Sequence, residues 1–136
     1  MAFVPITYDN GKLVSMACAN SQTIVKGDAL ADNGSGYLAV ATSSTAVDVC
    51  YVAMETVTTT ATGQMVLCVR TKGVIFEADT DANPAQTDVG TLADLATVST
   101  INPDASTNDL FYIEAIVGAA TGNKVRGWFV EGVPNS

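Results

Sequence analysis

Histidine is absent from this chain. It is the side chain whose unperturbed pKa lies nearest neutrality, so its absence removes the commonest general base and a principal metal ligand. Cations are scarce too: 6 Lys and Arg stand against 14 Asp and Glu, for a formal net charge of −8. Such a surface repels phosphate backbones, and nucleic-acid binders cluster their Lys and Arg. Here they are scattered as Lys12, Lys26, Arg70 with Lys72, and Lys124 with Arg126. In a strand, each of the last two pairs would share one face, either as a solvated or ion-paired surface or as a polar interface contact. No nucleic-acid partner is expected.

Long apolar runs are missing as well. No stretch approaches the ~20 residues of a membrane-spanning helix. The amino terminus, MAFVPITYDNGK, lacks the basic and apolar regions of a secretory signal. The expectation is a soluble product made in the cytoplasm, with no membrane partner. Cysteine is limited to Cys18, Cys50 and Cys68, an odd number with no CxxC pair, each inside an apolar run. That pattern fits buried free thiols in a reducing compartment, and too few ligands for zinc. Only 15% of residues are charged, below the usual ~25%. Either a partner covers part of such a surface, or its many Thr, Ser and Asn residues solvate it.

What is present is Val, Ala, Thr and Gly in short alternating stretches, the vocabulary of β-structure. ALAD and YLAVAT flank Asn33-Gly34-Ser35-Gly36 as a hairpin. VDVCYVAMETVTTT and MVLCVR are apolar on both faces, as expected of strands covered on both sides. Val47, Val49 and Tyr51 would share one face of the first. VIFEA follows Gly73, and a second hairpin joins LFYIEAIV to KVRGWFVEG. Within these last runs Glu114 and Glu131 are expected to point outward or lie at strand ends, and Trp128 to lie in the core. Residues 79–109 are rich in Asp, Asn, Thr and Pro and only weakly periodic, so they are expected to form a long acidic loop. Within it, residues 91–98 could carry a short helix or strand, with Leu92, Leu95 and Val98 inward at helical spacing.

Residues 1–11 are set apart by Phe3, Val4, Ile6 and Tyr8 around Pro5, ahead of the Asp9-Asn10-Gly11 turn signal. They form either a first edge strand of the domain's own sheet, where proline is tolerated, or an arm that adds a strand to a neighbouring subunit. The expected fold is all-β: a single-domain antiparallel β-barrel or sandwich over 12–136, with an extended N-terminal arm over 1–11.

No reactive constellation emerges. Asp79-x-Asp81-x-Asn83 opens like a calcium loop, but Pro84 stands where the turn needs glycine and Gly90 where a glutamate should close the site. Gly118 to Lys124 has the wrong spacing for a phosphate loop. No serine can be matched with a histidine, and no cofactor or catalytic residue is assigned.

Several phrases together carry a resemblance. AFVPITY precedes TIVKGDAL and GYLAVAT. Then come VCYVAMETVTTTATGQMVLCVRTKGVIFEA and DVGTLADLATVSTIN, ahead of LFYIEAIVGAATGNKVRGWFV. Over nearly its whole length the chain resembles the capsid decoration, or cement, proteins of tailed bacteriophages. The resemblance implies an all-β virion protein on the outside of the head, commonly a homotrimer, which locks adjacent major capsid protein subunits. It brings no catalytic residues. Phe3, Val4, Pro5, Ile6 and Tyr8 are the expected contacts with the capsid or a neighbouring protomer. The alternative is a glycan- or surface-binding module of a phage tail, fibre or bacterial adhesin, with its ligand at the 79–109 segment.

Overall fold

In the computed structural model, residues 3–7, 12–45, 49–118 and 123–130 are described. Alternating small and β-branched residues give strands throughout, as the all-β expectation requires. The strands are β1 (Val4–Thr7), β2 (Leu13–Cys18), β3 (Thr23–Ile24), β4 (Ala29–Asp32), β5 (Leu38–Val40), β6 (Val49–Ala53) and β7 (Val57–Thr58). The later ones are β8 (Gln64–Arg70), β9 (Ile75–Thr80), β10 (Leu92–Thr97), β11 (Thr100–Asn102), β12 (Phe111–Ile116) and β13 (Lys124–Phe129).

Strands β2-β5-β4-β6-β8 close into a barrel. Its lumen is filled by Cys18, Leu30, Leu38, Ala53, Val66 and Cys68, with Ile24 from the small β3–β7 pair. The remaining strands form a sheet ordered β1-β9-β11-β10-β12-β13, in which β13 also pairs back onto β9. Five of these strands therefore return on themselves in a second ring, and β1 pairs with the start of β9 on the edge that β11 takes farther along.

The double apolar character of the first-barrel strands has a specific cause. One face of each fills the lumen, and the other meets the second ring. Ala29, Val52, Val69 and Leu13 stand side by side in register across β4, β6, β8 and β2. They pack into one continuous core with Phe76, Ala93, Leu95, Ile101, Phe111, Ile113 and Phe129 of the second ring. Ring closure removes strand edges that would otherwise template association. Val47 lies outside the described residues.

Both expected hairpins form, β4 with β5 and β12 with β13. The first turn follows from its side chains. The Asp32 carboxylate accepts the Gly34 N–H at 2.6 Å and the Asn33 amide oxygen accepts the Ser35 N–H at 2.9 Å. Gly34 and Gly36, at φ +91° and +87°, take left-handed conformations that glycine adopts without strain.

Residues 79–109 are not a long acidic loop. β9 runs to Thr80, and β10 and β11 form a hairpin whose second strand lies parallel to β9. Ala93, Leu95 and Ile101 are core residues. The acidic and amide residues build turns here instead of solvating a loop. Asp94 is buried and accepts the N–H groups of Thr107, Asn108 and Asp109 at 3.0, 2.7 and 2.8 Å. Asp88 accepts the Ala85 N–H at 2.8 Å, and Asn102 that of Asp104 at 3.0 Å. Leu92 and Val98 are only half-buried, because the segment is a strand and not a helix.

Candidate functional site

The N-terminal segment is where the sequence placed its docking residues, and the structure separates them. Phe3 is 1% exposed and belongs to the protein's own core. Its ring lies 4.8 Å from that of Phe129 and 5.9 Å from that of Phe111, centroid to centroid. Phe76 joins the cluster through Phe129 at 5.4 Å, so all four phenylalanines of the chain meet in one place. Tilted and edge-on ring contacts of this kind stabilise beyond the area they bury. Phe3 is thus a core anchor and not an exposed contact. Val4 and Ile6 point the other way, 50% and 47% exposed, with Pro5 half-buried between them. Tyr8 lies outside the described residues.

Of the two readings of this segment, the structure realises the edge strand. β1 pairs antiparallel with β9, Val4 opposite Glu77 and Pro5 opposite Phe76. Its outer edge is poorly equipped to recruit another strand. The Phe3 N–H is taken by the Gly27 carbonyl at 3.0 Å, and Pro5 has no N–H to offer. Strand addition along this edge is therefore disfavoured, and what the edge presents is side chains.

Those side chains border an apolar groove of about 310 Å³, lined by Phe3, Val4, Pro5, Val25, Lys26, Gly27, Ala53 and Met54. Backbone bonds fix its shape. Gly27 N–H donates to Ala53 O at 2.8 Å, and Ala53 N–H returns to Asp28 O at 2.9 Å. Val25 on its rim is 50% exposed. The Asp28 carboxyl is buried beside it and accepts the Val25 N–H at 2.9 Å. Burial raises the Asp28 pKa above the ordinary carboxylate value, and that hydrogen bond partly opposes the shift. Farther along the first barrel, Met65 and Leu67 of β8 face outward and exposed. The Leu67 carbonyl accepts the Met54 N–H at 2.9 Å, so this second apolar pair adjoins a groove residue. Sequence reasoning missed Val25, Met54, Met65 and Leu67. The apolar character of MVLCVR on both faces was the available signal, but it reads equally as burial.

The outer face of the second ring is different in kind. Trp128 is not in the core; it is 37% exposed and stacked on Tyr112 at 4.7 Å and 25°. Beside it Arg126 donates to Glu114 at 2.9 Å, and Lys124 to Asp79 at 2.6 Å. The late basic pair thus forms surface ion pairs, and Glu114 points outward as expected; Glu131 lies outside the described residues. The lysine occupies the first acid of the calcium-like run, and Asp88 is engaged with a backbone N–H. Among the described residues, no three His, Cys, Asp or Glu side chains gather as a metal site, and no helix is long and apolar enough to cross a membrane.

Cys18 and Cys68 are fully buried in the first barrel, and Cys50 is half-buried. Burial, with smaller contributions from Cys18 and Glu55, pushes the Cys68 thiol up to about 12. Burial also raises Cys18. Thiols so protonated are poor nucleophiles. Comparison of the chain with protein-family models, curated proteins and solved structures finds no match.

Proposed function

We propose that this chain is a structural virion protein that decorates the outside of a tailed-phage head and cements neighbouring major capsid protein subunits. The observation that carries the reading is the apolar set Val4, Ile6, Val25, Met65 and Leu67, exposed around and beside a preformed groove. Val4 and Val25 stand at the groove itself, and large apolar side chains exposed at a groove are a mark of interaction surfaces. A net charge of −8 suits the exterior of a shell packed with DNA. The sequence phrases given above support the reading by their resemblance to that family, and the mechanism proposed is adhesion. A subunit that binds only the assembled lattice stabilises it by mass action, and many modest contacts around a symmetric shell must break together. Self-association, as a homotrimer, is part of the same proposal.

Co-sedimentation with DNA-free heads tests this reading. Saturable binding at a fixed ratio to major capsid protein supports it, and recovery of the protein wholly in the supernatant rejects it. A second reading, a glycan- or surface-binding module of a tail, fibre or adhesin, is favoured by one observation: Trp128 presents an indole on the outer face, its plane set by Tyr112. Trp128 is the sole tryptophan, so a glycan panel read by intrinsic fluorescence separates the readings.

A further inference from the structure

The groove beside β1 contains one charge. Of its eight lining residues, seven are apolar side chains or glycine, and the eighth is Lys26. Asp28 and Glu55, the acidic residues next in sequence to Lys26 and to its hydrogen-bond partner Thr56, are already engaged. Asp28 holds the Val25 N–H at 2.9 Å, and Glu55 accepts the Leu67 N–H at 2.7 Å. Among the described residues Lys26 has no ion pair; its backbone N–H donates to the Thr56 hydroxyl at 3.0 Å, and the residue is exposed. In a chain of net charge −8, an uncompensated ammonium at the rim of an apolar groove is a local reversal of sign.

From this charge pattern we propose that the groove receives an extended segment of a partner protein, with apolar side chains followed by a carboxylate that pairs with Lys26. The inference rests on the docking reading above and specifies the chemistry of what docks. Apolar side chains fill the space between Val4, Val25 and Met54, and the carboxylate fixes the register of the segment. The net acidic surface disfavours such a segment in general, and the groove selects it by setting apolar walls beside a cation. The outer edge of β1 lacks N–H donors at Phe3 and Pro5, so the segment lies against side chains and does not extend the sheet.

The test is an amide chemical-shift titration of the full chain with two model peptides, acetyl-Ala-Val-Ile-Glu-Asp-amide and its uncharged counterpart acetyl-Ala-Val-Ile-Gln-Asn-amide. The acidic peptide is expected to shift Val4, Val25, Lys26, Gly27, Ala53 and Met54 and to bind at least threefold more tightly than the neutral one. An exposed ion pair contributes on that scale. Lys26→Gln abolishes the preference, and Val25→Ser weakens both peptides; both residues are exposed, so the fold is not at risk. Shifts confined to other residues, no shift at millimolar peptide, or a preference that survives Lys26→Gln each overturn the inference. Head co-sedimentation of the same protein separates the two claims. Binding to heads with a silent groove sinks only the segment chemistry, whereas absence of head binding sinks the docking reading.

Discussion

A β-carbon on Gly127 would overlap the backbone carbonyl oxygen of Tyr112, and it would stand 3.0 Å from the Phe111 ring. The β12–β13 hairpin therefore closes over a position that only glycine fits. Gly127→Ala forces the two strands apart beneath the phenylalanine cluster. It is expected to destabilise the protein by about 2–4 kcal/mol, within the range of overpacked cores. Urea unfolding measures this; a loss below about 0.5 kcal/mol would show the hairpin to be looser than described.

Phe3 and Ile6 lie three residues apart and are expected to behave oppositely. Phe3→Ala removes one fully buried ring of the aromatic cluster and should cost about 3–5 kcal/mol. Ile6→Ser, on the exposed side of β1, should stay within about 0.5 kcal/mol. Equal tolerance of both changes would mean that the segment is a detachable arm after all.

Asp28 supplies a pH signature. Its folded pKa is raised by burial, so between the unfolded value, about 3.9, and the folded one the native state binds more protons than the unfolded state. By linkage, its favourable contribution is full below the unfolded value and is lost as pH rises through the folded one. Once ionised, the buried carboxyl is a burden. Asp28→Asn keeps an acceptor for the Val25 N–H and removes the charge. The variant should unfold at higher urea than the parent at pH 7, and the gap should shrink near pH 4. A variant less stable at both pH values would contradict this.

Thiol chemistry reports on the first barrel. With its pKa pushed up to about 12, Cys68 should resist alkylation by iodoacetamide at pH 8 in the folded protein, as should Cys18. All three cysteines should react in guanidinium. Peptide mass mapping that finds Cys68 modified within minutes under native conditions would show the barrel to open readily.

Much of the fold was legible because turn chemistry is local. Asn33-Gly34-Ser35-Gly36 announces its hairpin through Asx bonding and left-handed glycines, whatever surrounds it. β10 was left open between helix and strand because Asp94 breaks the apolar pattern of LADLAT, and its three backbone partners come from Thr107 to Asp109, beyond the reach of periodicity. The outward position of Trp128 was readable. It shares strand parity with Lys124 and Arg126, but an isolated tryptophan among apolar residues invites a core assignment. Ring closure and the destination of Phe3 depend on pairings between distant strands, which no local pattern encodes. The groove was invisible for the same reason, since Val4, Val25 and Met54 come together only through tertiary contact.

The most direct test of adhesion is the thermal rupture of DNA-free heads stripped of this protein and then incubated with it. Added wild-type chain should raise the rupture temperature in a saturable manner, and the double variant Val4→Ser with Val25→Ser should leave it unchanged while remaining folded. Heads that rupture at the same temperature with or without saturating wild-type protein would contradict the account.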